Sequence, residues 1–382
     1  MSGMWGNNIR VSIFGESHGN AIGINIDGLP SGFSIDMDKV MVEMARRAPG
    51  KSPLSTPRKE GDVPEILSGY FEGKTTGTPL CAIIRNSNTK SKDYSKLKDV
   101  MRPGHADYTG VVRYDGFNDY RGGGHFSGRI TAPLVFAGAI CKQILESKGI
   151  VIAAHVNSIG SIKDKSFLDV DINEELISSF NGKELPLINS ELEEAMREEV
   201  MNARKDMDSI GGTIECAVLG IKPGIGNPFF DSVESTLAHL MFSVPAVKGI
   251  EFGKGFDISK MRGSEANDEY YLDGKIIKTK TNNNGGILGG ITNGMPIVFN
   301  VAIKPTASIF KEQSTVNIAT MEETKLSIEG RHDPCIVQRA LPVIEAVTAI
   351  GILELMNSWK ILRITWGEKM KYLFSGNGEI FA

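Results

Sequence analysis

The chain has 382 residues, 41% hydrophobic and 23% charged, with a formal net charge of -4. That is enough apolar material for a sizeable core in one large domain or two. The charge excludes broad nucleic-acid binding, so any anion site must be a local cluster of cations.

The four cysteines, Cys81, Cys141, Cys216 and Cys335, are scattered without a C-x-x-C. Neither a disulfide framework nor a structural zinc site is signalled, and a reducing cytoplasm fits best. The N-terminus has no charged lead-in before an apolar run, and no stretch approaches transmembrane length; a soluble cytoplasmic protein is expected.

In chain order, residues 9–14 and 21–27 read as strands joined by the polar turn Gly15-Glu16-Ser17-His18-Gly19. Residues 36–47 form an amphipathic helix, with Met37, Val40, Met41 and Met44 at helical spacing and Arg46 and Arg47 in its last turn. Ala45 to Ser52 matches a relaxed P-loop pattern, but a helix precedes it and Pro53 and Pro57 follow, whereas the motif needs a strand before and a helix after. Residues 66–71 and 79–85 are strand-like, and 86–100 is a polar connection.

Residues 101–133 gather His105, His125, Arg102, Arg113, Arg121, Arg129 and the run Gly122-Gly123-Gly124. Few long side chains lie between the glycines, so backbone N–H groups can approach a ligand. Pro133 opens an apolar helix closed by Gly149, and a cation-bearing loop at a helix N-terminus suits an anion. The plain alternative is a surface loop of solvated arginines.

Further on, Met196, Val200, Ala203 and Met207 make one apolar stripe on a helix, 211–220 alternates like a strand, and 231–243 is a capped helix with Val233, Leu237, Leu240 and Met241 inward. Residues 247–253 and 297–304 are strand-like, with the glycine-rich turn 281–290 before the second of these. The turn Glu329-Gly330-Arg331-His332-Asp333-Pro334 precedes an apolar helix from about Gln338 to Met356. His155, His239 and His332 are expected to be structural. Strands and helices do not alternate regularly, which argues for α+β rather than a doubly wound parallel sheet. One catalytic domain is expected over 1–358, with 359–382 a tail of uncertain order.

Three blocks recur at predicted strand ends: GESHG; RPGHAD with RGGGHFSGR; and KPTAS with EGRHDP. Together with Arg46-Arg47, SGYFEGKTTGTPL, DSIGG, PAVKGIEFGKGF and GGILGGITNG, they resemble the signature blocks of the chorismate synthase family, in the family's order from about Trp5 to Leu355. The resemblance implies two antiparallel β-sheets enclosing a layer of α-helices, a β-α-β sandwich assembled as a homotetramer. It implies a lyase that converts 5-enolpyruvylshikimate-3-phosphate to chorismate by 1,4-anti elimination of phosphate. Reduced FMN is the implied cofactor, with NADPH or an external flavin reductase as the source of reduction, and no metal, nucleic acid or membrane.

Carried over position by position, the resemblance implies His105 as the acid at the leaving phosphate and His18 beside the flavin pyrimidine ring. Asp333 matches the carboxylate that manages the flavin proton. Arg46 or Arg47, Arg129 and Arg331 match substrate-binding cations, and Arg129→Ala is expected to weaken binding more than folding. His125, Phe126, Ser127, Ala246, Gly285, Lys304, Pro305, Thr306, Ala307, Ser308 and Arg331 match flavin-lining positions. The middle block departs from the commonest family form, GGGRSSARET, at His125, Phe126 and Ile130; Pro53 departs from a basic position, for which Lys51 or Arg58 would compensate. Two other readings stay open: a metal-dependent phosphohydrolase using His18, His105 and His125, and an anion-binding or flavin-storage protein without turnover.

Overall fold

The computed structural model describes residues 3–50, 54, 61–86, 97–328 and 332–373, with side chains through Ser358. The first half supplies β1 (Met4–Trp5), β2 (Arg10–Gly15), β3 (Ala21–Asp27), α1 (Met37–Arg47), β4 (Pro64–Ser68), the ribbon β5 (Tyr70–Phe71) and β6 (Lys74–Thr75), and β7 (Leu80–Arg85). Its sheet runs β1-β2-β3-β7-β4, every pair antiparallel. Ile22, Ile24 and Ile26 alternate along β3 and are all buried, as period two requires of a strand's inward face.

Next come α2 (Asp107–Arg113), α3 (Thr131–Glu146), β8 (Val151–Ile159), β9 (Ile162–Lys163), α4 (Glu174–Ser179), α5 (Glu193–Lys205), β10 (Gly212–Leu219), α6 (Val233–Ser243) and β11 (Val247–Phe252). After them are α7 (Gly263–Ala266), the hairpin β12 (Tyr270–Asp273) and β13 (Ile276–Thr279), the ribbon β14 (Ile287–Leu288) and β15 (Ile291–Thr292), and β16 (Ile297–Ile303). The hairpin β17 (Gln313–Asn317) and β18 (Glu322–Leu326) and the helix α8 (Val337–Leu373) complete the order. The second sheet is β11-β16-β10-β8-β9, again antiparallel throughout.

Helices fill the space between the sheets. α3 packs on β3 and β7 of the first sheet and on β8 of the second, and its main partner is α8. The two helices approach closely because small residues face each other: a Cβ at Gly138 would lie 2.2 Å from Cβ of Ala346. With sheets and helices around it, α3 buries nearly every residue, Phe136 and Ile140 included. The fold is α+β, two antiparallel sheets enclosing a helical layer, as expected.

Helix starts follow their caps. Asp36 accepts from the backbone of Asp38 and Lys39 at α1, and Ser232 from that of Ser235 at α6. Three expectations are corrected. The α5 stripe stops early: the helix ends at Lys205, and Met207 beyond it holds φ 58° and is exposed, leaving Met196 and Val200 as its buried residues. α8 does not end near Met356 but continues to Leu373, so most of the supposed tail is helical. A stretch of membrane-spanning length does exist, Val337–Ser358, but it packs on α1, α3, α6, β8 and β10 and is a core helix.

Candidate active site

The strongest signals of the sequence converge on one closed circuit of contacts. The turn after β2 brings Ser17 and His18 against the glycine run: Ser17 N donates to Gly124 O at 3.1 Å, and Ser17 Oγ lies 3.0 Å from His18 Nδ1. Gly122, Gly123 and Gly124 hold φ of 58°, 86° and 52°. A Cβ at Gly122 would lie 2.2 Å from His18 Cε1, and one at Gly123 would lie 3.0 Å from His105 Cε1. Adjacent glycines thus seat the two histidines, and no residue with a Cβ fits without moving the rings.

His105 is held from behind. Its Nδ1 lies 2.7 Å from Asp107 Oδ1 and 3.0 Å from Arg102 Nη2, and Arg102 donates to Asp107 through Nε and Nη2, each at 2.7 Å. Burial alone would raise the Asp107 carboxyl, but the hydrogen bonds from Arg102 and His105 outweigh it and hold it well below the usual carboxylate range. Arg102 Nη1 reaches Ser308 Oγ at 3.4 Å, and Lys304 Nζ donates a short hydrogen bond to Gly104 O. Burial, with Lys248 nearby, holds the Lys304 ammonium below its ordinary value.

The segment after β16 leads to the start of α8. Thr306 Oγ1 donates to Asp333 O at 3.0 Å, Asp333 Oδ2 pairs with Arg339 Nη1 at 2.5 Å, and Arg339 Nε donates to Arg47 O at 3.1 Å. Arg47 and Arg129 then bind the two oxygens of one buried carboxylate, Asp62, through short contacts. Burial would raise the Asp62 carboxyl, and the two guanidinium charges turn the shift downward. Arg129 Nε donates to Asn86 Oδ1 at 3.1 Å, and Asn86 Nδ2 donates to Glu16 O and Gly19 O at 3.0 and 2.9 Å. That returns to the His18 turn and closes the circuit.

Arg47, Arg102, Arg129, Arg339 and Lys304 outnumber Asp62, Asp107 and Asp333 in this circuit. A chain of net negative charge has therefore gathered a local positive excess, suited to an anionic ligand.

The other expected residues divide. His125 Nδ1 lies 2.8 Å from Gly15 O; a carbonyl only accepts, so this nitrogen carries the proton and ties the glycine run to β2. Phe126 packs on Tyr114, with ring centroids 6.2 Å apart, and over Gly110 of α2. Ser127 Oγ accepts from Arg129 N, capping the turn into α3. Ala246, at φ 73°, accepts from Lys304 N at 2.9 Å, and Ala307 flanks Gly104. Pro305 is exposed in the same segment.

Two residues fall elsewhere. Arg46 pairs with Glu345 at 2.6 Å and Glu43 at 2.8 Å, in a cluster shared with Lys142 between α1, α3 and α8, so of the two adjacent arginines Arg47 is the one in the circuit. Gly285 packs against Gly253 and Val298, at the opposite end of β16 from Lys304. Arg331, Lys51, Pro53 and Arg58 lie outside the described residues.

Sequence reasoning missed Asp62, Asn86 and Arg339 and gave Asp107 no role. Asp107 stood in the quoted RPGHAD block; the others carry no local signal. His155 is structural as expected, buried with Nε2 2.9 Å from Glu215 and its ring 4.6 Å from Phe167. Among the described residues no group of three His, Cys, Asp or Glu side chains could hold a metal ion.

Comparison with known proteins gives one family. The family model for chorismate synthase matches residues 9–356. A chorismate synthase of Methanocaldococcus jannaschii is 48% identical over 365 residues, covering 92% of this chain and 95% of its own. One of Dehalococcoides mccartyi is 45% identical over 356 residues, covering 93% and 96%. A crystal structure of a chorismate synthase superposes with a TM-score of 0.69 at 28% identity, covering 92% of each chain.

Proposed function

The chain belongs to the chorismate synthase family of shikimate-pathway lyases, and on that premise we propose that its closed circuit binds 5-enolpyruvylshikimate-3-phosphate beside reduced FMN. The observation that carries this reading is the seating of His18 and His105 on adjacent glycines within a ring of cations.

The substrate brings a phosphate and two carboxylates, which Arg47 and Arg129 meet from the Asp62 side, with Arg331 as their expected companion. Charge-assisted hydrogen bonds from guanidinium are the strong ones, and two arginines sharing one carboxylate keep part of their charge for a ligand. His105 donates a proton to the departing phosphate oxygen through Nε2, an acid–base contribution of roughly 10²- to 10⁴-fold. Arg102 and Lys304 hold that loop against the segment Lys304 to Ser308.

The residues present fit a reduced flavin. His18 and Lys304 provide donors, and Gly104, Ala246 and Ala307 are small residues that would let a planar ring approach. Reduced FMN, when bound, supplies electron density to an elimination that is redox-neutral overall. In this reading His18 balances the negative charge of the reduced pyrimidine ring, and Asp333, a carboxylate fixed by Arg339, would take up a proton near the flavin. Of the expected flavin-lining residues, Phe126 is given to packing and Gly285 stays outside the single-chain site.

NADPH or an external flavin reductase as the source of reduction, a homotetramer and a cytoplasmic location complete the proposal. Anaerobic incubation with photoreduced FMN, substrate and a chelator is expected to release chorismate and phosphate together, and oxidised FMN alone is expected to give neither. Phosphate release without flavin, or loss of activity to the chelator, would contradict it. Replacing photoreduction by NADPH shows which source of reduction the protein uses.

A further inference from the structure

His105 Nδ1 has two neighbours with opposite demands. Arg102 Nη2, 3.0 Å away, can only donate, and Asp107 Oδ1, 2.7 Å away, can only accept while ionised. The Asp107 contact is the shorter of the two, and a carboxylate oxygen facing a bare nitrogen lone pair at 2.7 Å would be repelled, which favours a proton between them. Arg102 Nη2 has two hydrogens, one given to Asp107 at 2.7 Å and the other directed towards Nδ1, but its contact with Nδ1 is the longer of the two made to that nitrogen.

We propose that Asp107 is a positioning residue for the elimination: it keeps the Nδ1 proton on His105 in both charge states, so that Nε2, which faces the Gly123 position, is the atom that gains and loses the catalytic proton. The proposal deepens the reading of His105 as the acid and rests on it. Asp107 can do this because it is ionised and immobile. It is 7% exposed, opens α2, and also accepts from Arg102 N at 3.1 Å. Arg102 thus orients the carboxylate and His105 uses its remaining lone pair, as a carboxylate behind an imidazole does in other active sites. The charged groups facing His105 are Asp107 and Arg102 of its own loop and Lys304 from the segment after β16; His18 lies across the glycine run, and His332 feels Arg102.

Histidine-¹⁵N-labelled wild-type protein, above the pH at which the ring is neutral, tests this directly by NMR, with His105 assigned by its loss in His105→Ala. The expected signal is a protonated Nδ1 and a bare Nε2. A protonated Nε2 with a bare Nδ1 would mean that Arg102 donates to the ring and that Asp107 serves only Arg102, which overturns the proposal without recourse to kinetics.

Kinetics of Asp107→Asn give the second arm. Its kcat is expected to fall about 10²-fold with KM nearly unchanged and the pH limb of kcat displaced, and Asp107→Glu is expected to recover part of the rate. A wild-type rate and pH limb in a folded Asp107→Asn would overturn the positioning role. The acid itself is judged separately: His105→Ala at wild-type rate would remove the functional reading, whereas a slow His105→Ala beside a full-speed Asp107→Asn removes the role of Asp107 alone.

Discussion

Gly116 and Gly122 both hold a positive φ, 80° and 58°, but a Cβ would meet nothing within 4 Å at Gly116 and would strike the His18 ring at Gly122. Gly116→Ala is therefore expected to cost about 1–2 kcal/mol of stability from its left-handed backbone and to leave turnover alone. Gly122→Ala adds displacement of His18, and a shift of that kind is expected to cost about 10²-fold in kcat/KM. Melting curves and steady-state kinetics on the pair separate the two effects; equal kinetics would mean that the His18 position does not matter. Arg129→Ala is expected to weaken substrate binding and also to lower stability by about 1–3 kcal/mol in urea titration, because it leaves part of buried Asp62 unpaired. The sequence alone suggested that binding would suffer more than folding. Residues such as His18, His105 and the glycines were legible because each sits in a short block with its own turn chemistry. Asp62 was not, since it acquires meaning only when folding brings Arg47 and Arg129 to its two oxygens.

At the scale of elements, α1, α3 and α6 were legible because each has a cap or a clear apolar face, and α8 was misjudged in length because charged residues enter the sequence after Ser358 while its backbone continues as helix. Nor did the periodicity of α1 reveal that Arg46 crosses to α8. Glu345 there is buried between Arg46 and Lys142. Burial would raise its carboxyl, and the two cations pull it below the ordinary value of 4.5 instead. A depressed carboxylate contributes stability above its unfolded value and loses it on acidification. Glu345→Gln is expected to cost about 3–5 kcal/mol near neutral pH. Its deficit relative to the unsubstituted protein should shrink as the pH falls below 4.5, where the unsubstituted protein must also take up a proton. Urea titrations of both proteins at neutral and acid pH check this; a deficit that does not change with pH would place the cost in packing rather than in the ion cluster.

Across the whole molecule, the sandwich was anticipated from irregular strand and helix order together with the family resemblance, but strand order within the two sheets was not, because pairing depends on long-range contacts that no local pattern encodes. The circuit is such a contact set. It joins the ends of β2, β7 and β16 to the starts of α2, α3 and α8, so elements from both sheets and the helical layer meet at one site. An excess of cations there should favour an anionic, reduced flavin over the oxidised form. Anaerobic titration is expected to show tighter binding of reduced FMN, and equal affinity would count against that role of the cations.

The division of labour between the two histidines is the central claim, and the spectrum of bound reduced FMN tests it most directly. Recorded with substrate present, across roughly pH 6 to 9, the span of perturbed histidine values, His18→Ala should shift the absorbance or apparent pKa of the bound reduced flavin. His105→Ala should leave both nearly as in the unsubstituted protein while slowing turnover. An unchanged spectrum in both variants, or a shift in His105→Ala alone, would contradict the assignment of His18 to the flavin and His105 to the phosphate.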